Sequence, residues 1–219
     1  MSPYSPSQGP KKVIIFDFDG VLADSFDTFY PLLRDTMKRI GLSLTSSQYR
    51  DLFIGNVHQG LKNFIGDDNK YEAAMEFRNS NYDKYYYDKR RKAKLFPGAA
   101  RFLKEISKNY VLTVASSGRE DNIKNLLEEN NIKNLFSLIL ANSAISKEGM
   151  INEISNKFNT EPRETIMITD TVGDVKIAKK LCLKTIAVTW GFHNSAMLKN
   201  SKPHKLVRNF NELHNLLEE

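Results

Sequence analysis

The chain has 219 residues, of which 41% are hydrophobic and 26% charged, and it carries a net charge of +6. Those values suit one globular domain, or one domain carrying a smaller insert, and they exclude a disordered or fibrous chain. No apolar run approaches the length of a membrane span, and the lone Cys182 rules out an intrachain disulfide, so a cytoplasmic protein without a membrane partner is expected.

Residues 1–11 are rich in Pro, Ser and Gly and lack the apolar middle of a signal peptide, which predicts a short flexible tail. The run KVIIFDF (12–18) predicts a buried strand that ends in two acids, Asp17 and Asp19. Asp24 follows, directly before a helical run, and is read as a helix cap. Phe26, Phe29, Tyr30, Leu33, Met37 and Ile40 then share one helical face. Thr45 and Gln48 have the spacing of a capping box. Tyr71, Ala74, Met75, Tyr82, Tyr85 and Tyr86 form a second helical stripe, read as packing. The basic run Lys89–Lys94 is read as a solvated helix end, so nucleic acid is not the expected partner.

From Leu95 onward the pattern changes. Strand-like runs at 110–116, 137–142, 165–170 and 185–190, with a weaker one at 204–209, alternate with helical segments at 99–108, 119–130 and 174–183. Alternation of this kind predicts βαβ units and a parallel sheet covered on both faces. The expected fold is α/β: a Rossmann-like, doubly wound parallel sheet built from 12–25 and 95–219, with a helical cap inserted at 26–94. Cys182 lies in the last helical segment and is read as apolar filler.

In such a sheet, ligands gather beyond the carboxyl ends of the strands. Asp17 and Asp19 stand there after the first strand, Asp170 and Asp174 after TIMIT, Ser116 and Ser117 at the end of VLTVA, and Lys147 after LILANSAIS. Converging carboxylates repel one another unless a cation sits among them. Hard oxygen ligands at an open site suit Mg²⁺, and no His/Cys cluster argues for zinc. The chemistry suggested is phosphoryl transfer. Asp17 is the candidate nucleophile and Asp19 the candidate general acid/base, with Ser116 and Lys147 on the phosphoryl oxygens. Gly20 and Gly118 are expected to bring backbone N–H groups close to the phosphate. The histidines His58, His193, His204 and His214 are scattered and mostly near surface-like segments, with His58 the exception.

Four segments carry a family resemblance. FDFDGVLADS (16–25) is similar, nearly letter for letter, to the first motif of the haloacid dehalogenase-like superfamily, in the branch with a helical cap that includes phosphoglycolate phosphatase and β-phosphoglucomutase. LFPGAARFLKEI (95–106) resembles the return from cap to core, VASSG (114–118) the second motif, and TDTVGDVKIAKKLCLKTIAVTWG (169–191) the fourth. The resemblance implies Asp17 as nucleophile and metal ligand, and Asp19 as acid/base with its carbonyl on the metal. It also implies Asp170 as an acidic ligand, with Asp174 as a ligand or support. Arg119, with Ser117 and Gly118, falls where a phosphate or substrate contact is expected. The third motif departs from the family's Lys-Pro-x-Pro: this chain reads Lys147-Glu148-Gly149-Met150. Thr169 replaces a common Gly, and Leu181-Cys182 a common Ala-Gly.

The substrate-specificity loop is expected within 51–64. Gly55 resembles the family's glycine there, and Asn56, His58 and Lys62 are candidate substrate contacts. The implied activity is a Mg²⁺-dependent phosphatase acting on a small anionic phosphorylated substrate, as monomer or homodimer. The alternatives are a sugar phosphomutase, a phosphonate hydrolase with Lys62 as Schiff-base lysine, or a catalytically silent binding protein.

Overall fold

The computed structural model describes residues 12–90, 92–141 and 145–219. The expected tail at 1–11, Arg91 of the basic run and Asn142 at the end of a predicted strand lie outside them. The chain opens with β1 (Val13–Phe16), then β2 (Ala23–Asp24). Four helices follow: α1 (Phe26–Arg39), α2 (Ser46–Asp51), α3 (Val57–Ile65) and α4 (Asp68–Tyr86). After β3 (Lys94–Leu95) come α5 (Ala99–Ile106), β4 (Val111–Ser116), α6 (Glu120–Glu129) and β5 (Phe136–Ala141). The rest is α7 (Lys147–Phe158), β6 (Thr165–Thr169), α8 (Val172–Lys180), β7 (Lys184–Val188), α9 (Ser195–Asn200), β8 (Lys205–Val207) and α10 (Phe210–Glu218).

Six strands form one sheet in the order β5-β4-β1-β6-β7-β8, every pairing parallel. The sheet is buried on both faces, so its strands read as continuous apolar runs. One apolar layer gathers Ile14, Phe16, Leu112, Val114, Ile166 and Ile168 with α5, α6 and α10. The opposite layer gathers Val13, Ile15, Ala115 and Met167 with α7 and α8. The chain leaves β1 in one direction across the sheet and later returns to its other side at β6. That reversal makes the carboxyl end of β1 the switch point, where the sheet opens a crevice.

The cap is the helical insert. Its apolar stripe packs as expected: Leu33, Met37, Leu44, Tyr49, Leu52, Leu61, Ile65 and Ala74 form one cluster. Thr45 and Gln48 form the capping box that starts α2. Both chain crossings between cap and core run through one small antiparallel ladder, with Ala23 opposite Leu95 and Asp24 opposite Lys94.

Three expectations are corrected here. Asp24 caps no helix: it is the exposed second residue of β2, and Ser25 is the N-cap of α1. Cys182 is exposed and lies past the end of α8 with φ of 57°, in a turn that directs its thiol away from the core. His193 is not a surface residue: it is completely buried. No helix among the described residues is long and apolar enough to cross a membrane.

Candidate active site

Asp17 stands one residue beyond β1, its N–H donated to Ile168 O at 2.9 Å, so the sheet itself fixes its backbone. Its Oδ1 accepts from Phe18 N–H at 2.8 Å and from Lys147 Nζ at 2.8 Å. Lys147 begins α7, whose N-cap Ser146 accepts from Gly149 N–H. That cap starts the helix without the prolines of the family motif. Lys147 Nζ also donates to Ala115 O at 2.8 Å and lies 3.2 Å from Asp174 Oδ2. One ammonium thus ties together groups at the ends of β1, β4 and β6.

Burial and repulsion dominate the electrostatics. Burial raises the Asp17 pKa well above the usual carboxylate range; Lys147 pulls it back, and Asp174 and Asp170 push it up again. Burial works against the Lys147 charge, but Asp17 and Asp174 outweigh it and raise the ammonium's pKa. Asp19 is also raised by burial, against the Ser25 hydroxyl and Lys147, which lower it. A carboxyl that resists ionisation is what a general acid needs.

Asp170 is fully buried beyond β6, and burial pushes its pKa up to about 7. Its Oδ2 accepts from Phe192 N–H at 2.6 Å, while among the described residues Oδ1 has no hydrogen-bond partner. The space around it is kept by two glycines. A Cβ on Gly191 would fall 2.2 Å from Asp170 Oδ2, and one on Gly20 would fall 2.1 Å from it. Gly20 has φ of +80° and donates its N–H to Ala23 O at 2.8 Å. Its own amide is thus engaged within the turn, and what the glycine supplies here is conformational freedom and room for Asp170. The N–H of Gly118 is likewise engaged, by Ser116 Oγ at 3.0 Å.

An orphaned buried carboxylate oxygen beside two further acids fits a hard cation. Among the described residues no three His, Cys, Asp or Glu side chains form a ready metal cluster. The donors that fit are the Asp17 and Asp170 carboxylates with main-chain oxygen and water, the open arrangement Mg²⁺ accepts. Asp174 is held by Lys147 and by Thr169 Oγ1, which donates to its Oδ2 at 3.1 Å.

At the second motif, Gly118 and Arg119 line a crevice shared with Phe29, Tyr82 and Tyr86 of the cap. Ser116 is buried at the end of β4, and Ser117 is exposed. Arg119 donates to Asp83 Oδ1 at 3.0 Å and lies 3.7 Å over the Tyr82 ring, both on α4. Asp19, Phe29, Tyr82, Tyr86 and Asn122 line a narrow crevice beside it. The loop residues sit elsewhere. Asn56 is the N-cap of α3, accepting from Gln59 N–H. His58 is exposed, with a pKa lowered by its partial burial and by Arg78. Lys62 pairs with Asp68 at 3.2 Å and lies 5.1 Å over the Tyr71 ring. Gly55 meets the core: a Cβ on Gly173, in the first turn of α8, would fall 3.0 Å from Gly55 O and 2.7 Å from Phe53 O. In the basic run, Arg90 pairs with Asp88 and Lys92 with Glu129.

Sequence reasoning missed the loop after β7. His193 Nδ1 accepts from Val172 N–H at 2.8 Å, and its Nε2 lies 2.8 Å from Arg50 O on α2. Arg50 Nη1 in turn donates to Phe192 O at 2.5 Å. The signal was available: residues 189–193 follow a strand end on the same sheet edge as the acids.

Comparison with known proteins gives one consistent answer. The family described as haloacid dehalogenase-like hydrolase matches residues 14–188. A phosphoglycolate phosphatase of Synechococcus elongatus is 26% identical over 205 residues, 92% of this chain and 95% of that protein. A probable phosphatase, IndB, of Dickeya dadantii is 26% identical over 93% of this chain and 92% of its own length. The fold is that of a haloacid dehalogenase-like family protein from Streptococcus pneumoniae, with a TM-score of 0.81 at 23% identity over 95% and 99% of the two chains. A predicted phosphatase from Clostridium acetobutylicum gives the same TM-score at 24% identity, over 96% of this chain and 100% of that one. The family match runs from β1 to the last residue of β7 and takes in the whole inserted cap, so the chain belongs to the haloacid dehalogenase-like hydrolases, among those that resemble phosphoglycolate phosphatases.

Proposed function

We propose that this enzyme is a Mg²⁺-dependent phosphatase for a small phosphorylated metabolite, phosphoglycolate-like or sugar-phosphate-like, working through an aspartyl-phosphate. The observation that carries the reading is Asp17 at the switch point, with Oδ1 anchored by Phe18 N–H and Lys147 Nζ. Anchoring one oxygen aims the other, Oδ2, at an incoming phosphorus.

In the first step Asp17 Oδ2 attacks phosphorus and the bond to the leaving oxygen breaks. Asp19, whose pKa burial raises, gives that oxygen its proton. In the second step the Asp19 carboxylate takes a proton from water. The water oxygen bonds to phosphorus, the bond to Asp17 breaks, and inorganic phosphate leaves. Ser116 and Lys147 hold the equatorial oxygens, where transition-state charge spreads. Bound Mg²⁺, held by Asp17, Asp170 and the Asp19 carbonyl, supplies charge compensation between the carboxylates and the phosphoryl group. The relatives named phosphoglycolate phosphatase support the substrate class.

The test is phosphate release from a panel of phosphoglycolate, sugar phosphates, nucleotides and p-nitrophenyl phosphate, with Mg²⁺ and with EDTA. Wild type releases phosphate only with Mg²⁺, and Asp17→Asn lowers the rate by at least about 10³-fold. Folded wild-type protein that releases phosphate from none of these compounds overturns the phosphatase reading.

A further inference from the structure

The loop after β7 is held from two sides. On the core side, Phe192 N–H donates to Asp170 Oδ2 at 2.6 Å, His193 N–H donates to Asp170 O at 3.3 Å, and Val172 N–H donates to His193 Nδ1 at 2.8 Å. On the cap side, Arg50 Nη1 donates to Phe192 O at 2.5 Å. Because Nδ1 accepts, the ring proton is on Nε2, and it is donated to Arg50 O at 2.8 Å. Arg50 is held in turn with its guanidinium 3.9 Å over the Phe26 ring. The Phe192 ring is buried in the cap's apolar cluster, with ring centroids 5.5 Å from Phe26 and 5.0 Å from Phe53.

Phe192 therefore belongs to the core by chain position and to the cap by packing. Its N–H fixes one oxygen of Asp170, and its C=O is gripped from the cap. When the cap lifts, the grip on C=O and the ring's packing are lost together, and the backbone that aims the N–H is free to turn. Within the proposed function, where Asp170 is a cation ligand, this makes cap seating and cation binding one linked equilibrium. We propose that Arg50 and His193 are positioning residues that couple closure of the cap to the orientation of Asp170. The coupling is reciprocal: the factor by which closure tightens Mg²⁺ binding is the factor by which Mg²⁺ favours closure.

The experiment uses the full chain and Mg²⁺ alone, without substrate. Mg²⁺ affinity is measured by calorimetry, and amide hydrogen exchange is followed across residues 46–65 with and without Mg²⁺. The variants are Arg50→Gln, His193→Asn and His193→Gln, with circular dichroism and melting as fold controls. In wild type, Mg²⁺ slows exchange in the cap. Arg50→Gln and His193→Asn lose about fivefold or more in Mg²⁺ affinity together with most of that slowing. His193→Gln, whose amide nitrogen takes the place of Nε2 toward Arg50 O, stays close to wild type. Unchanged Mg²⁺ affinity in folded Arg50→Gln and His193→Asn overturns the coupling. A wild-type cap whose exchange ignores bound Mg²⁺ also overturns it, whatever the variants do, and leaves the proposed function standing. A wild type that binds no Mg²⁺ overturns both.

Discussion

Gly20 and Gly191 leave Asp170 the room that a Cβ at either position would fill. Gly191→Ala would place a methyl group 2.2 Å from Asp170 Oδ2 and 2.4 Å from Gly20 O. Neither neighbour is the free end of a flexible chain, so the backbone must shift. The expected cost is about 1–3 kcal/mol of stability, with a larger loss of activity, read from melting curves and phosphate release. The raised Asp170 pKa has its own signature in the metal-free protein. Between the unfolded carboxylate value of about 4 and the folded value of about 7, the folded state binds the extra proton. Stability contributed by Asp170 is therefore present at the acid end and falls as pH rises through that window. His193 acts in the opposite sense, because burial lowers its pKa. The clean measurement is the melting temperature of wild type minus that of Asp170→Asn in EDTA: the difference falls from pH 4.5 to 7.5, and saturating Mg²⁺ reverses the fall. At this scale the acids were legible because they stand at strand ends in a recognisable pattern. Arg50 and His193 were not, because the contacts that join the two segments span 142 and 143 positions of the chain.

Helix α8 meets the cap through a glycine. The first turn of α8 lies against the backbone of residues 53–55, with Ile54 packed beside Val172 and Val175 and Lys176 Nζ donating to Ile54 O at 3.1 Å. Gly173→Ala sets two effects against each other. Alanine favours the helix by about 1 kcal/mol, yet its Cβ would lie 2.7 Å from Phe53 O. We expect the core to melt no lower than wild type while KM rises, because the methyl group wedges the cap off its seat. Steady-state kinetics beside a melting curve separates the two. Element positions were largely readable from the runs of β-branched residues and the helical stripes. Their ends were not: Ser25 rather than Asp24 stands at the N-cap of α1, and it does so without a side-chain capping bond. The start of α7 shows the same limit, since Ser146 as N-cap delivers Lys147 to Asp17 without the family's prolines.

Across the whole molecule, the parallel sheet was legible in the alternation of strands and helices, while its strand order was not. The sequence left out how cap and core touch. Crossings between them are confined to a ladder of two residue pairs, while the contact itself is made by side chains scattered over the chain. Periodicity reports which face of an element is buried and is silent on what buries it. Phe192 is 4% exposed only because the cap covers it. Uncovering an aromatic ring of that size costs about 1.5–3 kcal/mol, so the open form is a minor species at rest. In the reading proposed above, a substrate enters through that minority and is then covered, so its association rate, and not its equilibrium affinity, is scaled down by the fraction of molecules standing open. A well-matched substrate of this enzyme will accordingly arrive slowly and leave slowly.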